Sequence, residues 1–364
     1  MSDWIFDSYA PPRYVDDLDI AHLHLPTPVI PAESQQLLLD DDGHLTVIAD
    51  AKGGAHGPPS SGGTGRTSGT GTTGVTGTTT TPTNSTLVGS STGLQINLIW
   101  DNSVLSAPNA ADIENAVVSA AQVYTSTFAT HAVLNIQIGL GEVNGSALVS
   151  GALGESQTFG IAESYAGLTS ALGAADANLV ASGLMASGAV TAVGALAAKT
   201  FFVPMAEAKA LGLVNATSTA VDGFIGLAAS GLVFAGAPGP GQYDGMGVAA
   251  HEISEVMGRI GLEGSQSGYY TPLDLFRYTS AGVPDLTPTA GSFSLDMGVT
   301  ALNGFNSPGN GGDAADWGSS AANTTDSYSA FATPGVTMTV TRNDLIEVAA
   351  LGYKPTAGLA SITV

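Results

Sequence analysis

Residues Gly53 to Gly93 of this 364-residue chain are almost entirely Gly, Thr, Ser and Pro, as in SSGGTGRTSGTGTTGVTGTTTTPTNST, with Arg66 as the single full charge. Such a tract cannot bury enough apolar area to offset its ordering entropy. It reads as a flexible linker of about 40 residues with a reach of roughly 35 Å. The chain is thereby divided into a head at 1–52, a linker at 53–93 and a body at 94–364.

The head carries the proline motifs PPRY and PTPVIP, acidic residues at Asp16, Asp17 and Asp19, and one hairpin pattern, QQLLLDDDGHLTVIAD. Leu37–Leu39 and Leu45–Ile48 would be its strands, with Asp42-Gly43 as the turn, because Gly tolerates the positive φ such turns need. About 50 residues with few aromatics make a marginal core. The head is therefore expected to be a docking segment, a propeptide that contacts the body, or mostly disordered.

The body opens with LQINLIW as a strand, continues with helical periodicity over Ala110–Phe128, and returns to strand alternation in VLNIQIGL, residues 133–140. That order predicts a sheet with the helix across one face. A short helix is expected over Ala206–Leu213, a strand from Asp222 in DGFIGLAA, a strong helix over Val248–Ile260 and a terminal helix over Arg342–Gly352, with loops between the last two.

Composition excludes several functions. The balance of 31 acidic against 9 basic side chains gives a formal charge of −22, which argues against nucleic acid or an anionic membrane as partner. With no cysteine, disulfides, thiolate zinc sites, iron–sulfur clusters and cysteine nucleophiles are ruled out. Any metal must be held by His, Asp, Glu, carbonyls or water. No uninterrupted apolar run reaches the roughly 18–20 residues of a membrane span. The N-terminal MSDWIFDSYAPPRYVDD lacks the basic and apolar regions of a cleavable export signal, and the apolar end LASITV suits a C-terminal one.

The chemistry concentrates in GVAAHEISEVMGRIGLEG, Gly247–Gly264. On a helix His251 and Glu255 lie four residues apart on one face, where a divalent metal could bridge them. Glu252, rotated by about 100°, would take a proton from water on the metal's open side, as the glutamate of HExxH does. Glu in place of the second His hardens the site toward Mn²⁺, Fe²⁺ or Ca²⁺ as well as Zn²⁺. All other histidines precede this helix, so a downstream third ligand must be a carboxylate. In the longer pattern HExxHxxGxxH, Gly258 fits the expected sharp turn, and Gly261 falls where the third ligand would be. Asp274 in PLDLFRY is the preferred replacement, with Glu263 or water as alternatives. The competing reading is an amphipathic helix with Ile253, Val256 and Ile260 buried and His251 with Glu255 as an ordinary i, i+4 pair.

AHEISEVMGR, TPLDLFRYTSAGVPDL, SFSLDMGVTALNGFN, GGDAADW and DLIEVAALGY together resemble a family of proteobacterial secreted metalloproteases, over nearly the whole body from about Leu94. The resemblance implies an α+β, zincin-like fold related to the metzincins, with a twisted mixed sheet, an active-site helix and a loop-rich C-terminal part ending in a helix. It implies a secreted endopeptidase acting on protein or peptide substrates, with His251 and Glu255 as zinc ligands and Glu252 as general base. The metzincin methionine turn has no clear counterpart, since Met257 lies on the helix itself and Met297 far downstream.

Further candidates are Asp313 and Asp316 in GNGGDAADWGSS as structural Ca²⁺ ligands, and Arg277 and Tyr278 as lining of a substrate cleft. Arg277 could equally make a structural ion pair with Asp274 or Glu252. Serine hydrolase and phosphate-loop motifs are absent in the contexts they need. Two rival functions are a catalytically inactive scaffold at a surface or in a matrix, and a Ca²⁺-stabilised adhesion module.

Overall fold

The computed structural model describes residues 36–39, 45–53, 84–264, 268–287, 289–307, 309–320 and 323–356. The chain is α+β, built on one mixed sheet. Its strands are β1 (Gln36–Leu39), β2 (Leu45–Gly53), β3 (Ser85–Gly89), β4 (Leu94–Trp100), β5 (Ala132–Leu140), β6 (Ala152–Ser164), β7 (Thr200–Pro204), β8 (Gly223–Leu227) and β9 (Phe331–Ala332). The spatial order is β1-β2-β6-β8-β5-β4-β3, with β7 pairing β6 and β9 pairing β2.

The expected strand–helix–strand unit is present. β4 alternates buried and part-exposed residues, burying Leu94, Ile96, Leu98 and Trp100. Helix α1 (Ala110–Thr127) then crosses the sheet to β5, which runs parallel to β4, as a crossover of this length requires. Its buried Ile113, Val117, Ala120, Ala121 and Tyr124 recur at helical spacing, and α1 packs against helix α3 (Gly245–Val256) on the same face. A short helix, α2 (Met205–Ala210), and a terminal one, α4 (Arg342–Ala350), also fall where periodicity put them.

The longest strand, β6, was not foreseen. It is buried on both faces over Ala152–Thr158, and four of those residues, Glu155, Ser156, Gln157 and Thr158, are polar, so no hydrophobic period marks it. It pairs antiparallel with β8 on one side and with β2 on the other.

The linker expectation needs correction at its C-terminal end. Ser85–Gly89 lies inside the 53–93 stretch and forms the edge strand β3 on β4, because STLVG supplies the β-branched and apolar residues that the rest of the tract lacks. At the other end the head's strand β2 runs to Gly53 and belongs to the same sheet as the body, with β1 antiparallel to it in the register Leu37↔Val47 and Leu39↔Leu45. The Asp42-Gly43 turn, the PPRY and PTPVIP segments, residues 54–83 and the LASITV end lie outside the described residues.

After α3 come a 3₁₀ turn over Pro272–Phe276 and a small antiparallel sheet of strands 277–280, 283–284, 292–293 and 303–304. Phe293, Phe305 and Trp317 pack their rings beside it. Trp317 Nε1 donates to Asp344 Oδ1 at 2.7 Å, tying this loop-rich part to α4, whose start is closed by the Thr341/Asp344 capping box. No helix among the described residues is long and apolar enough to cross a membrane.

Candidate metal centre

Helix α3 is buried along its whole length except at Met246. Asp244 caps its start by accepting from Met246 N at 3.1 Å, and the same side chain accepts from Met338 N at 2.9 Å. The helix stops where Gly258 takes φ +124°, a conformation strained for any other residue, with Glu207 Oε2 only 2.6 Å from where a Cβ would stand. The turn expected at Gly258 is thus present.

The i, i+4 spacing brings His251 Nε2 to 3.2 Å from Glu255 Oε1. A third atom converges on them. Asp316 Oδ1, delivered by the GGDAADW loop, lies 3.3 Å from the same Nε2. Among the described residues His251, Glu255 and Asp316 form the one His/Asp/Glu group with metal-holding geometry.

The hydrogen bonds around these atoms decide what the convergence means. His251 Nδ1 is 2.7 Å from Ser327 O, and a carbonyl only accepts, so the proton is on Nδ1. Nε2 then either presents a lone pair to two carboxylate oxygens, or carries a second proton. A lone pair facing two anions is repulsive unless a cation sits between them. A proton there would make charge-assisted bonds of about 2.7–2.9 Å, shorter than the 3.2 and 3.3 Å seen. Ligand atoms around a tetrahedral zinc with bonds of about 2.0–2.1 Å stand roughly 3.3–3.4 Å apart. The spacing from Nε2 to the two oxygens matches that of ligand atoms around an ion. Asp316 Oδ2, buried with no hydrogen-bond partner, adds a further free oxygen.

The candidate ligands are held from behind. Glu255 Oε2 accepts from Ser156 Oγ of β6 at 2.8 Å, and Arg259 reaches Asp316 Oδ1 with Nη1 at 2.6 Å and Glu255 Oε1 with Nη2 at 3.3 Å. Arg259 is itself fixed by Nε donating to Ser254 Oγ at 2.7 Å and by the Tyr328 ring, 4.4 Å from its Cζ. Tyr124 donates to Ala250 O at 2.7 Å, so Tyr328 is the donor in the 3.0 Å bond between the two hydroxyls. One guanidinium against two carboxylates leaves one negative charge over. Burial raises the Asp316 carboxyl above its ordinary range although His251 and Arg259 oppose it. At Glu255 burial acts in the same direction but is overcome by His251, then by Arg259 and a hydrogen bond with Glu252, so this carboxyl is held low. Glu252 thus adjoins Glu255. Its carboxylate also lies directly against Gly154 of β6, where any Cβ would collide with it.

The other expected site residues are elsewhere. Asp274 does not join His251 and Glu255: its Oδ2 accepts from Leu262 N, Glu263 N and Thr271 N at 3.3, 3.0 and 2.8 Å, closing the Thr271 capping box of the 3₁₀ turn. Three backbone donors are enough to explain why a carboxylate is buried there. Glu263 points to Arg277, with Oε1 2.6 Å from Nη2. Arg277 lines no cleft; it is fully buried, donates to Ala314 O and Thr289 O and stands 4.0 Å over the Phe305 ring. Its carboxylate partners are Glu263 and Asp285, not Asp274 or Glu252. Tyr278 is buried beside it at 3 % exposure. Asp316 is grouped with His251 and Glu255 on α3, and Met257 is a core residue at the helix end. Sequence reasoning also missed Ser156, Arg259, Ser327 and Tyr328. The one available signal was Arg259 itself, a charged residue one turn beyond Glu255.

The centre is closed in this structure, with His251 2 % exposed and Glu252, Glu255, Asp316 and Arg259 at 0 %. No protein-family model, no curated protein and no solved structure matches this chain.

Proposed function

We propose that the protein is a metal-dependent endopeptidase of zincin-like design, acting outside the cell on protein or peptide substrates, with His251, Glu255 and Asp316 holding a divalent ion, zinc first. The observation that carries this reading is the approach of Glu255 Oε1 and Asp316 Oδ1 to His251 Nε2, at 3.2 and 3.3 Å. Three protein ligands leave a fourth position, as catalytic zinc sites do. The ion would supply a Lewis acid that acidifies water and polarises a carbonyl. Ser327 fixes the His251 tautomer, while Ser156 and Arg259 keep the two carboxylates in place. Glu252, beside Glu255, would take the proton from the attacking water.

Burial favours a second reading, in which the same three residues form a closed metal centre that staples α3 to the 316–327 loop without turnover. The two readings part on Glu252. In the first, Glu252→Gln keeps the metal and loses cleavage of an unstructured peptide by about 100-fold or more; in the second, wild type and variant are equally inert while both bind metal.

A further inference from the structure

The described part of the head is two paired strands, β1 and β2, and β2 joins the body's sheet beside the candidate metal centre. β2 runs antiparallel to β6 from Leu45↔Gly160 to Lys52↔Ala152. Within that register Ala49 stands opposite Ser156, which binds the ligand Glu255, and Ala51 opposite Gly154, against which Glu252 rests. Along its other side β2 pairs with β1, and through Lys52 and Gly53 with β9, which follows the segment carrying Ser327 and Tyr328. Helix α3 packs against β2 as well as against β6. Val47 is 1 % exposed in a small cluster with Phe202, Ile260 and Leu262, the last two lying just past Arg259.

β2 therefore pairs with β6, whose Ser156 bonds Glu255, and with β9, which follows the Ser327 that bonds His251, yet it arrives from across the Gly/Thr/Ser tract. Strand pairing depends on backbone hydrogen bonds, which any extended peptide can supply. We propose that the β6 edge over Ala152–Gly160 is an acceptor site for an extended peptide, and that the head's β2 is its resident occupant, covering the centre until the tract is cut. The peptide-accepting edge follows from the pairing alone; its use in turnover rests on the peptidase reading.

A site-specific protease sequence inserted among residues 61–80 allows the full chain to be nicked with every strand retained. A labelled peptide of sequence LTVIADAKG, matching Leu45–Gly53, is then titrated by fluorescence anisotropy. A tether at about millimolar effective concentration competes with a free peptide, so the nicked chain should bind it about 100-fold more tightly than the intact one. The chain has no cysteine, so Val47→Cys with Thr158→Cys, a directly paired position, provides a clean lock. Oxidised and nicked, this variant should refuse the peptide; reductant should restore binding. Failure of the nicked, reduced protein to bind, or equal binding with the lock closed, overturns the proposal. A zinc-loaded assay with a quenched extended peptide separates the two claims. Binding with hydrolysis supports both, whereas binding without hydrolysis keeps the strand site and removes the peptidase reading.

Discussion

Arg259 and Arg277 are two fully buried guanidiniums built to nearly the same plan. Each faces two carboxylates, Glu255 with Asp316 in one case and Glu263 with Asp285 in the other. Each stands over an aromatic ring, Tyr328 at 4.4 Å and Phe305 at 4.0 Å, and each donates to neighbouring carbonyls of the same loop, Ala315 O and Ala314 O. The difference is His251. Only at Arg259 does an imidazole nitrogen face the same two carboxylate oxygens as the guanidinium. The Arg277 cluster is an ion network that ties Glu263 and Asp285 to the GGDAADW loop, whereas the Arg259 cluster adds an imidazole nitrogen to the same carboxylate oxygens. With both carboxylate oxygens facing the same imidazole nitrogen, this cluster is the candidate ion site.

The largest expected effect separates the clusters by what each can lose. Arg277→Ala strands two buried carboxylates and should cost about 3–5 kcal/mol in urea unfolding, equally with and without chelator. A cost that changed with chelator would place metal in the wrong cluster. Next, zinc at about 100 times its dissociation constant should stabilise the wild type by about 2.7 kcal/mol. His251→Ala should abolish that gain and Arg277→Lys should keep it, if the folded variant forms. Retention of the gain by His251→Ala would put the ion elsewhere.

A third buried group sharpens the comparison because it has no cation at all. Asp176 has neither carboxylate oxygen hydrogen-bonded, and burial pushes it up to about 8 from 3.8, while neighbouring Glu207 is raised further by burial and by Asp176. A carboxyl raised in the folded state stabilises only while protonated. Its contribution is complete below about pH 4 and fades as pH climbs through about 8, with a slope of up to about 1.4 kcal/mol per unit. Asp176→Asn should flatten that part of a stability-against-pH curve. An unchanged slope would mean that water or a counter-charge already satisfies Asp176.

Much of the scaffold was legible because its signals are local. β4, α1, β5, α3 and α4 carry apolar residues at period two or 3.6, and Gly258 ends α3 for a steric reason that its type announces. β6 was hidden because four of its buried residues are polar: Ser156 is there for Glu255, and Gly154 makes room for Glu252. In the site, His251 and Glu255 could be paired from spacing alone. The third carboxylate could not. Asp274 and Asp316 are both buried acids downstream of the helix, and what distinguishes them is three-dimensional: one meets three backbone donors, the other an imidazole.

His251, Glu255 and Asp316, and not Asp274, are the proposed ligands of the metal ion. The direct measurement is zinc content by elemental mass spectrometry on wild type, His251→Ala, Asp316→Ala and Asp274→Asn, each purified folded and equilibrated with limiting zinc. About one zinc per chain in wild type and Asp274→Asn, with almost none in the other two, is the predicted result. A wild type without bound zinc, or zinc lost from Asp274→Asn and kept in Asp316→Ala, would contradict it.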